Sequence, residues 1–430
     1  MKAPSDDLAS FAGPERDPGE IRGRARASGR VAAGMFLTRI SGLVREGVFA
    51  HHFGTSVVAD VWRAALRTPN ILQNLLGEGT LSASFIPIYS ELLGERRDAE
   101  AARFAGAILG LLTATAGLLA VLGILAAPLF VAILFAGFDP DQQALTVELV
   151  RILFPMTALL VVSAWGLGVL NSHRRFFLPY VAPLGWNACM IGGMLVGSTV
   201  FGASGDRLAH WLAWSALLGG GVQLGVQLPL VLRLVGELRP SLSINVTGVR
   251  EALRNFVPVV AARGALNVVS YLDYFLAAYL ATGAVAVLGY AQTLYLLPIS
   301  LFALSTAASE LPELSRDRQG GTDRLKRDVG RGVERVTYFL APSTVAYLLL
   351  GDVIVAALFQ RGEFSPDAVR VTWAVLAAYS IGMSASAASR VLSSAFYAIR
   401  NTRTPARIAY LRVGLSTAVG LLLMLPMDRL

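Results

Sequence analysis

Runs of twenty or more apolar residues recur along this 430-residue chain, and several of them carry arginine. Each run is long enough for the roughly 30 Å hydrocarbon core of a bilayer. Hydrophobic residues make up 54% of the sequence and charged residues 15%, against about 45–50% and about 25% in soluble domains. A soluble enzyme, a disordered chain and a collagen-like chain are excluded. Strand-like alternation is absent, so a β-barrel is set aside. One cysteine, Cys189, allows neither a disulfide framework nor a cysteine zinc site, and His51, His52, His173 and His210 are too scattered for a metal cluster. No metal and no cofactor are expected.

Residues 1–28 are rich in Pro, Gly, Asp and Arg and lack apolar periodicity, which predicts a disordered cytoplasmic tail. The first apolar run begins near Val31 and continues past any plausible cleavage site, so it is not a signal peptide. Eleven spans are expected, near 31–53, 57–78, 104–135, 144–170, 180–201, 208–235, 255–280, 284–308, 333–358, 368–396 and 406–426, with 80–93 prolonging the second. Basic residues fall in every second loop. They occupy the tail, then Arg96-Arg97 and Arg103, Arg174-Arg175, Arg239 to Arg254, the 314–332 loop, and Arg400 to Arg407. That alternation places the N-terminus in the cytoplasm. It also removes nucleic acid as the partner of a net charge of +8, because the charge is divided among short loops.

An internal repeat is visible. "LFAGFDPDQQALTVELV…LNSHRRFFLP" (Leu134–Pro179) parallels "LFQRGEFSPDAVRVTWAV…FYAIRNTRTP" (Leu358–Pro405), each preceded by a proline, Pro128 or Pro342. Copies of one orientation imply two pseudo-symmetric helical lobes, as in transporters with a site between repeats. The expected organisation is an N-lobe over 29–235 with spans one to six, and a C-lobe over 236–430 with spans seven to eleven. The five-span second half suggests a chain truncated at its C-terminus.

Charges lie where lipid is expected. The first span holds Arg39, Arg45 and Glu46 near its middle, about 8–10 kcal/mol unfavourable by insertion scales. Its Val, Ile, Leu and Phe residues return only about 3–5 kcal/mol, so these groups must face protein or water. In the second span Asp60, Arg63, Arg67, Asn70, Asn74 and Glu78 recur every three or four residues and form one stripe, kinked at Pro69. Arg263, Asn267, Ser270 and Tyr274 make a third stripe in the seventh span, with Asp273 beside it. Two readings compete. One is buried ion pairs that fasten helices, Arg39 with Glu46 and Arg67 with Asp60, with Arg63 snorkelling outward. The other is a central cationic cavity. Arginine exceeds carboxylate in the stripes, and its planar fork pairs bidentately with phosphate oxygens, which favours the cavity and a phosphate-bearing substrate.

"RISGLVREGVFAHHFG" (Arg39–Gly54), "ADVWRAALRTPNILQNLLGEGTLSASFIPIY" (Ala59–Tyr89) and "LGYAQTLYLLPISLF" (Leu288–Phe302) resemble the MurJ/MviN family. Its members are lipid II flippases of the multidrug/oligosaccharidyl-lipid/polysaccharide exporter superfamily. The resemblance runs from Val31 onward. It implies an all-α polytopic membrane protein with two lobes forming a V around a cationic cavity. It also implies movement of lipid II, the undecaprenyl-pyrophosphate-linked peptidoglycan precursor, from the inner to the outer leaflet of the bacterial inner membrane by alternating access. Substrate-binding positions map to Arg39, Arg45, Glu46, Asp60 and Arg67, with Glu78 in the GEG motif. Lipid II and membrane lipids are the implied partners, and cell-wall synthesis proteins are candidates. Departures stand at Gln73, where many members have arginine, and at Gln292-Thr293, where the family motif often reads Asp-Arg. Arg263 is the candidate replacement for that lost charge. Asp273 matches an acidic position tied to sodium in some members, but companion asparagines are not evident around Arg412–Gly420, so sodium binding is not expected.

Two alternatives within the superfamily are another polyprenyl-pyrophosphate glycan as cargo, or a drug exporter, which should favour acidic residues over these basic stripes. A membrane phosphosugar transferase would need clustered loop carboxylates to hold magnesium. Asp317, Asp323 and Asp328 are dispersed among arginines, and no Walker A motif is present.

Overall fold

The computed structural model describes residues 18–300, 322–398 and 403–427, and helix is the only regular structure among them. The side chains of Glu78 and of residues 261–270 are among those that lie outside the described set. In chain order the helices are α1 (Pro18–Phe53), α2 (Val57–Arg67), α3 (Asn70–Leu76), α4 (Glu78–Ser84), α5 (Ile86–Gly94), α6 (Asp98–Leu134), α7 (Pro140–Ser172), α8 (Phe177–Val181), α9 (Pro183–Thr199) and α10 (Gly205–Val235). They continue with α11 (Val249–Ala277), α12 (Ala284–Pro298), α13 (Thr322–Phe359), α14 (Pro366–Ile381), α15 (Met383–Ala398) and α16 (Arg403–Met427).

Several boundaries depart from the sequence reading. Helix α1 starts at Pro18, so residues 18–28 of the expected disordered tail are helical, and 1–17 lie outside the described residues. Arg, Ala and Glu in that stretch are good helix formers and continue the helix past the apolar run. The second expected span is not one kinked helix but two pieces, α2 and α3. Pro69 supplies no N–H and restricts Thr68, whose hydroxyl turns back to donate to the Ala64 carbonyl at 3.0 Å. Gly77 is extended, and the stretch beyond it is two short helices rather than one prolongation.

Among the described residues, five helices are long and apolar enough to cross a membrane: α6, α7, α8–α9 taken as one, α10, and Val329–Phe359 of α13. The pair α14–α15, bent by 40°, makes a sixth if it counts as one span. Eleven were expected. Part of the difference arises where the sequence is charged or interrupted, and part where α11 and α16 include residues outside the described set. Helix α1 carries Arg39, Arg45 and Glu46, α2–α3 is broken, and α12 is a shorter apolar helix ending at Pro298, with 301–308 outside the described residues. Such segments tolerate the bilayer only against protein or a water-lined space.

The two repeated segments share local features. Helices α6 and α13 each contain a proline, Pro128 or Pro342, and each hands on to a helix opened by a cap and a proline. Asp139 accepts the Gln142 N–H at 2.8 Å while Gln142 returns its side-chain oxygen to the Asp139 N–H at 3.1 Å, a reciprocal box at the start of α7. Ser365 plays the same part for α14, accepting the Ala368 N–H at 3.1 Å. Lipid is as apolar as these helices, so they associate by close packing rather than by expulsion of water. Where α1 ends, Phe49, Phe53, Trp62, Tyr290, Phe359 and Phe364 are all buried, with ring centroids 4.9–6.3 Å apart. That aromatic plug joins α1 and α2 to α12, α13 and the start of α14.

Candidate functional site

The site is built on α1 and α2. Ser56 starts α2 by accepting the Ala59 N–H at 3.3 Å. Asp60, Arg63 and Arg67 then follow at offsets of three and seven, so they share one helical face. That face meets the second half of the chain.

Asp60 is buried at 3% exposure and binds no arginine; its oxygens accept the backbone N–H groups of Gly283 at 2.6 Å and Ala286 at 2.7 Å. These belong to the first turn of α12, whose N–H groups have no partners within the helix. A carboxylate there is also favoured by the helix dipole. Gly283 has φ +92°, a conformation suited to glycine, and this turns the chain so that both N–H groups converge on Asp60. Tyr290, further along α12, donates from its hydroxyl to the Gly54 carbonyl at 2.9 Å.

Arg63 is not snorkelling. It is 8% exposed, with its guanidinium 4.9 Å from the Phe49 ring and 4.8 Å from the Tyr290 ring, and it donates to Glu46. Arg67 stacks on Tyr271 and Tyr274 of α11 at 5.0 and 4.9 Å, and the Tyr271 hydroxyl donates to its carbonyl at 3.2 Å. Charge–quadrupole contacts of this kind strengthen when desolvated. Neither expected ion pair forms. Asp60 is spent on α12 rather than Arg67, and Glu46 is spent on Arg45 and Arg63 rather than Arg39.

Glu46 is 3% exposed and receives one guanidinium on each oxygen, Arg45 Nη2 on Oε1 at 2.6 Å and Arg63 on Oε2. Arg45 also donates from Nη1 to Asn187 Oδ1 at 3.1 Å and lies 5.0 Å from the Trp186 ring, both on α9. Asn187 in turn donates to Ser41 Oγ at 2.8 Å. Trp186 is fixed by its indole N–H on the Ala216 carbonyl at 3.0 Å, and Gly219 lets it approach α10: a Cβ there would stand 2.8 Å from Trp186 Cδ1. Arg45 is therefore held in place with part of its side chain open, at 16% exposure. Arg39 is exposed and forms no ion pair among the described residues. Two turns of helix, roughly 10 Å, separate it from Glu46.

Arg263 and Glu78 lie in α11 and α4, with side chains outside the described residues. Beyond them, Tyr274 donates to Gln292 Oε1 at 3.2 Å, Gln292 Nε2 to the Tyr379 hydroxyl at 3.3 Å, and Tyr379 to Asp273 at 3.4 Å. Gln292, standing where a charge is often found, is a neutral link between two tyrosines. The stripes thus separate into an anchored arginine on α1, an inter-helix seam along α2, and a neutral chain around Asp273. Asn187, Trp186, Tyr271 and Tyr290 were missed as partners; the aromatic groups could have been sought as covers for arginines that outnumber carboxylates.

The Glu46 pair has a direct consequence for stability. Glu46→Ala leaves Arg63 buried without its carboxylate, which costs about 3–5 kcal/mol. The melting temperature in detergent and the membrane abundance should both fall sharply, and a Glu46→Met, Arg63→Met double variant should recover most of the loss. No recovery in the double variant would show that the pair is not what Glu46 contributes.

The helical architecture is that of an integral-membrane, multi-span protein with charged side chains buried between its helices. The structure is similar to that of a lipid II flippase MurJ in an inward closed conformation, with a TM-score of 0.74, 24% identity, and coverage of 88% of this chain and 78% of that one. It is also similar to an inward-facing multidrug resistance MATE family transporter, with a TM-score of 0.65, 15% identity, and coverage of 94% and 99%. In sequence it is 30% identical over 396 residues to a probable lipid II flippase MurJ from Rhizobium tropici, covering 90% of this chain and 73% of the relative. Against the lipid II flippase MurJ of Burkholderia cenocepacia it is 30% identical over 393 residues, covering 89% and 75%. The family described as lipid II flippase MurJ matches residues 49–430. The chain belongs to the lipid II flippase MurJ family, whose members are transporters and not enzymes.

Proposed function

We propose that this flippase carries lipid II from the inner to the outer leaflet by alternating access, with Arg45 as the principal ligand of the pyrophosphate. Eleven spans form two lobes, 29–235 and 236–430, with the N-terminus in the cytoplasm and the aromatic plug at the outer end. The observation that supports this reading most strongly is the state of Arg45, oriented by Glu46, Asn187 and Trp186 while part of its side chain stays open. A guanidinium has five N–H donors, and two directed contacts leave others for phosphate oxygens. Arg39, exposed two turns away, is a second contact for the same headgroup, and Arg67 and Arg263 are candidates on the facing helices. Asp60 and Glu46 serve by placing α12 and the arginines.

The seam along α2 supplies the closing element. Asp60, Arg63 and Tyr290 hold the lobes together at the outer end, where a polar contact surrounded by lipid has few competing partners. Opening to the outside requires these contacts to part, and closing re-forms them after release. A competition measurement tests the phosphate reading. With labelled lipid II in reconstituted vesicles, undecaprenyl pyrophosphate should inhibit translocation and undecaprenol should not. Equal inhibition by the two would remove the phosphate-based reading and favour recognition through the lipid tail alone.

A further inference from the structure

We propose that Arg63 is a second anion-binding arginine for the lipid diphosphate, sealed while the outer end is closed and uncovered when α12 leaves α2. The proposal rests on the alternating-access reading above. Its first support is the shared carboxylate, since Glu46 holds Arg45 on one oxygen and Arg63 on the other. Two guanidiniums on one carboxylate are a stepping arrangement. An anion that engages Arg45 competes for that arginine, and Glu46 can remain with Arg63; an anion at Arg63 reverses the exchange.

The second support is the origin of the cover. One wall of the Arg63 chamber is Phe49 of α1, on the same side of the seam. The other is α12, through the Tyr290 ring and through Gly289, where a Cβ would stand 2.7 Å from Arg63 Nε. A side chain at position 289 would displace the guanidinium, so α12 is shaped to lie directly on it. The third support is a spare donor, because Arg63 Nε is buried and has no hydrogen-bond partner. A buried donor left unmade is unfavourable, and an oxyanion could take it once the α12 wall is gone. Residues 60, 63 and 67 share the face that parts, so α12 departure frees the Asp60 carboxylate and exposes Arg63 in the same movement. Arg45 then serves entry and Arg63 serves exit, with Glu46 between them.

The test separates binding from transport in the reconstituted full chain. Arg63→Gln leaves Glu46 paired with Arg45, so equilibrium binding of labelled lipid II should stay within about twofold of the parent. The rate of appearance in the outer leaflet should fall about tenfold or more, the effect of losing one charge-assisted contact. Arg63→Lys keeps the charge beside Glu46 but not the planar fork, so it should bind normally and restore only part of the rate. If the glutamine variant does not fold, the lysine variant carries the test alone. An unchanged rate in either folded variant would overturn the proposal, as would binding and rate falling together in proportion to thermal stability. Retained translocation by Arg45→Ala would instead overturn the underlying site reading. Dependence on Arg45 with no dependence on Arg63 would remove only the exit role.

Discussion

Arg45→Ala is expected to abolish lipid II translocation while the protein remains inserted at near-normal abundance. Losing a desolvated charge-assisted contact to phosphate costs about 2–5 kcal/mol, so the rate should fall by about thirtyfold or more. Abundance should hold because Glu46 keeps Arg63, and the groups left behind, Asn187 and Trp186, have other partners in Ser41 and the Ala216 carbonyl. Arg45→Lys should recover only part, since an ammonium cannot form the planar double contact. Complementation of a flippase-depleted strain, with membrane abundance measured in parallel, checks both variants. Full complementation by Arg45→Ala at normal abundance would dismiss the site. This contrast with Glu46→Ala, where abundance itself should fall, distinguishes a residue that meets substrate from one that holds the helices.

The helical membrane architecture is legible in the sequence because apolar runs are one-dimensional signals. The repeat was legible for the same reason. Asp139-Pro140 and Ser365-Pro366 are cap-and-proline pairs whose local chemistry dictates a helix start wherever they occur. What could not be read was which charges meet. Spacing places Arg39 and Glu46 on one face of α1, yet Glu46 is taken by Arg63 from another helix, and that depends on how α1 and α2 cross. Asp60 is a sharper case. Nothing near residue 60 indicates that its partners are backbone N–H groups more than two hundred residues later, because a helix N-terminus is invisible as a partner until the fold brings it there. The excess of arginine in the α2 stripe favours a cavity wall, and in this structure Asp60, Arg63 and Arg67 pack against α11 and α12 as a seam. Both descriptions apply to one surface if the lobes part along it, which is why the same residues are polar and yet covered.

Movement along that seam is the central claim, and a cross-link across it gives the most direct measurement. A Cβ built at Gly283 stands 3.0 Å from the Thr55 Cβ and 2.6 Å from the Thr55 carbonyl oxygen, so the backbone must give by about half an ångström or more to reach the roughly 3.5–4.5 Å of a disulfide. Thr55→Cys and Gly283→Cys in a Cys189→Ser background should oxidise to a bond that holds α12 against the start of α2. Gly283 has positive φ, so the reduced double variant is the reference for any strain that the new side chain introduces. Lipid II translocation by the oxidised protein should fall to background in reconstituted vesicles. It should return to the reduced variant's rate when a membrane-impermeant reductant is added on the side where α1 ends. Undiminished translocation by fully cross-linked protein would contradict the account, because lipid II would then be crossing without the outer end ever opening.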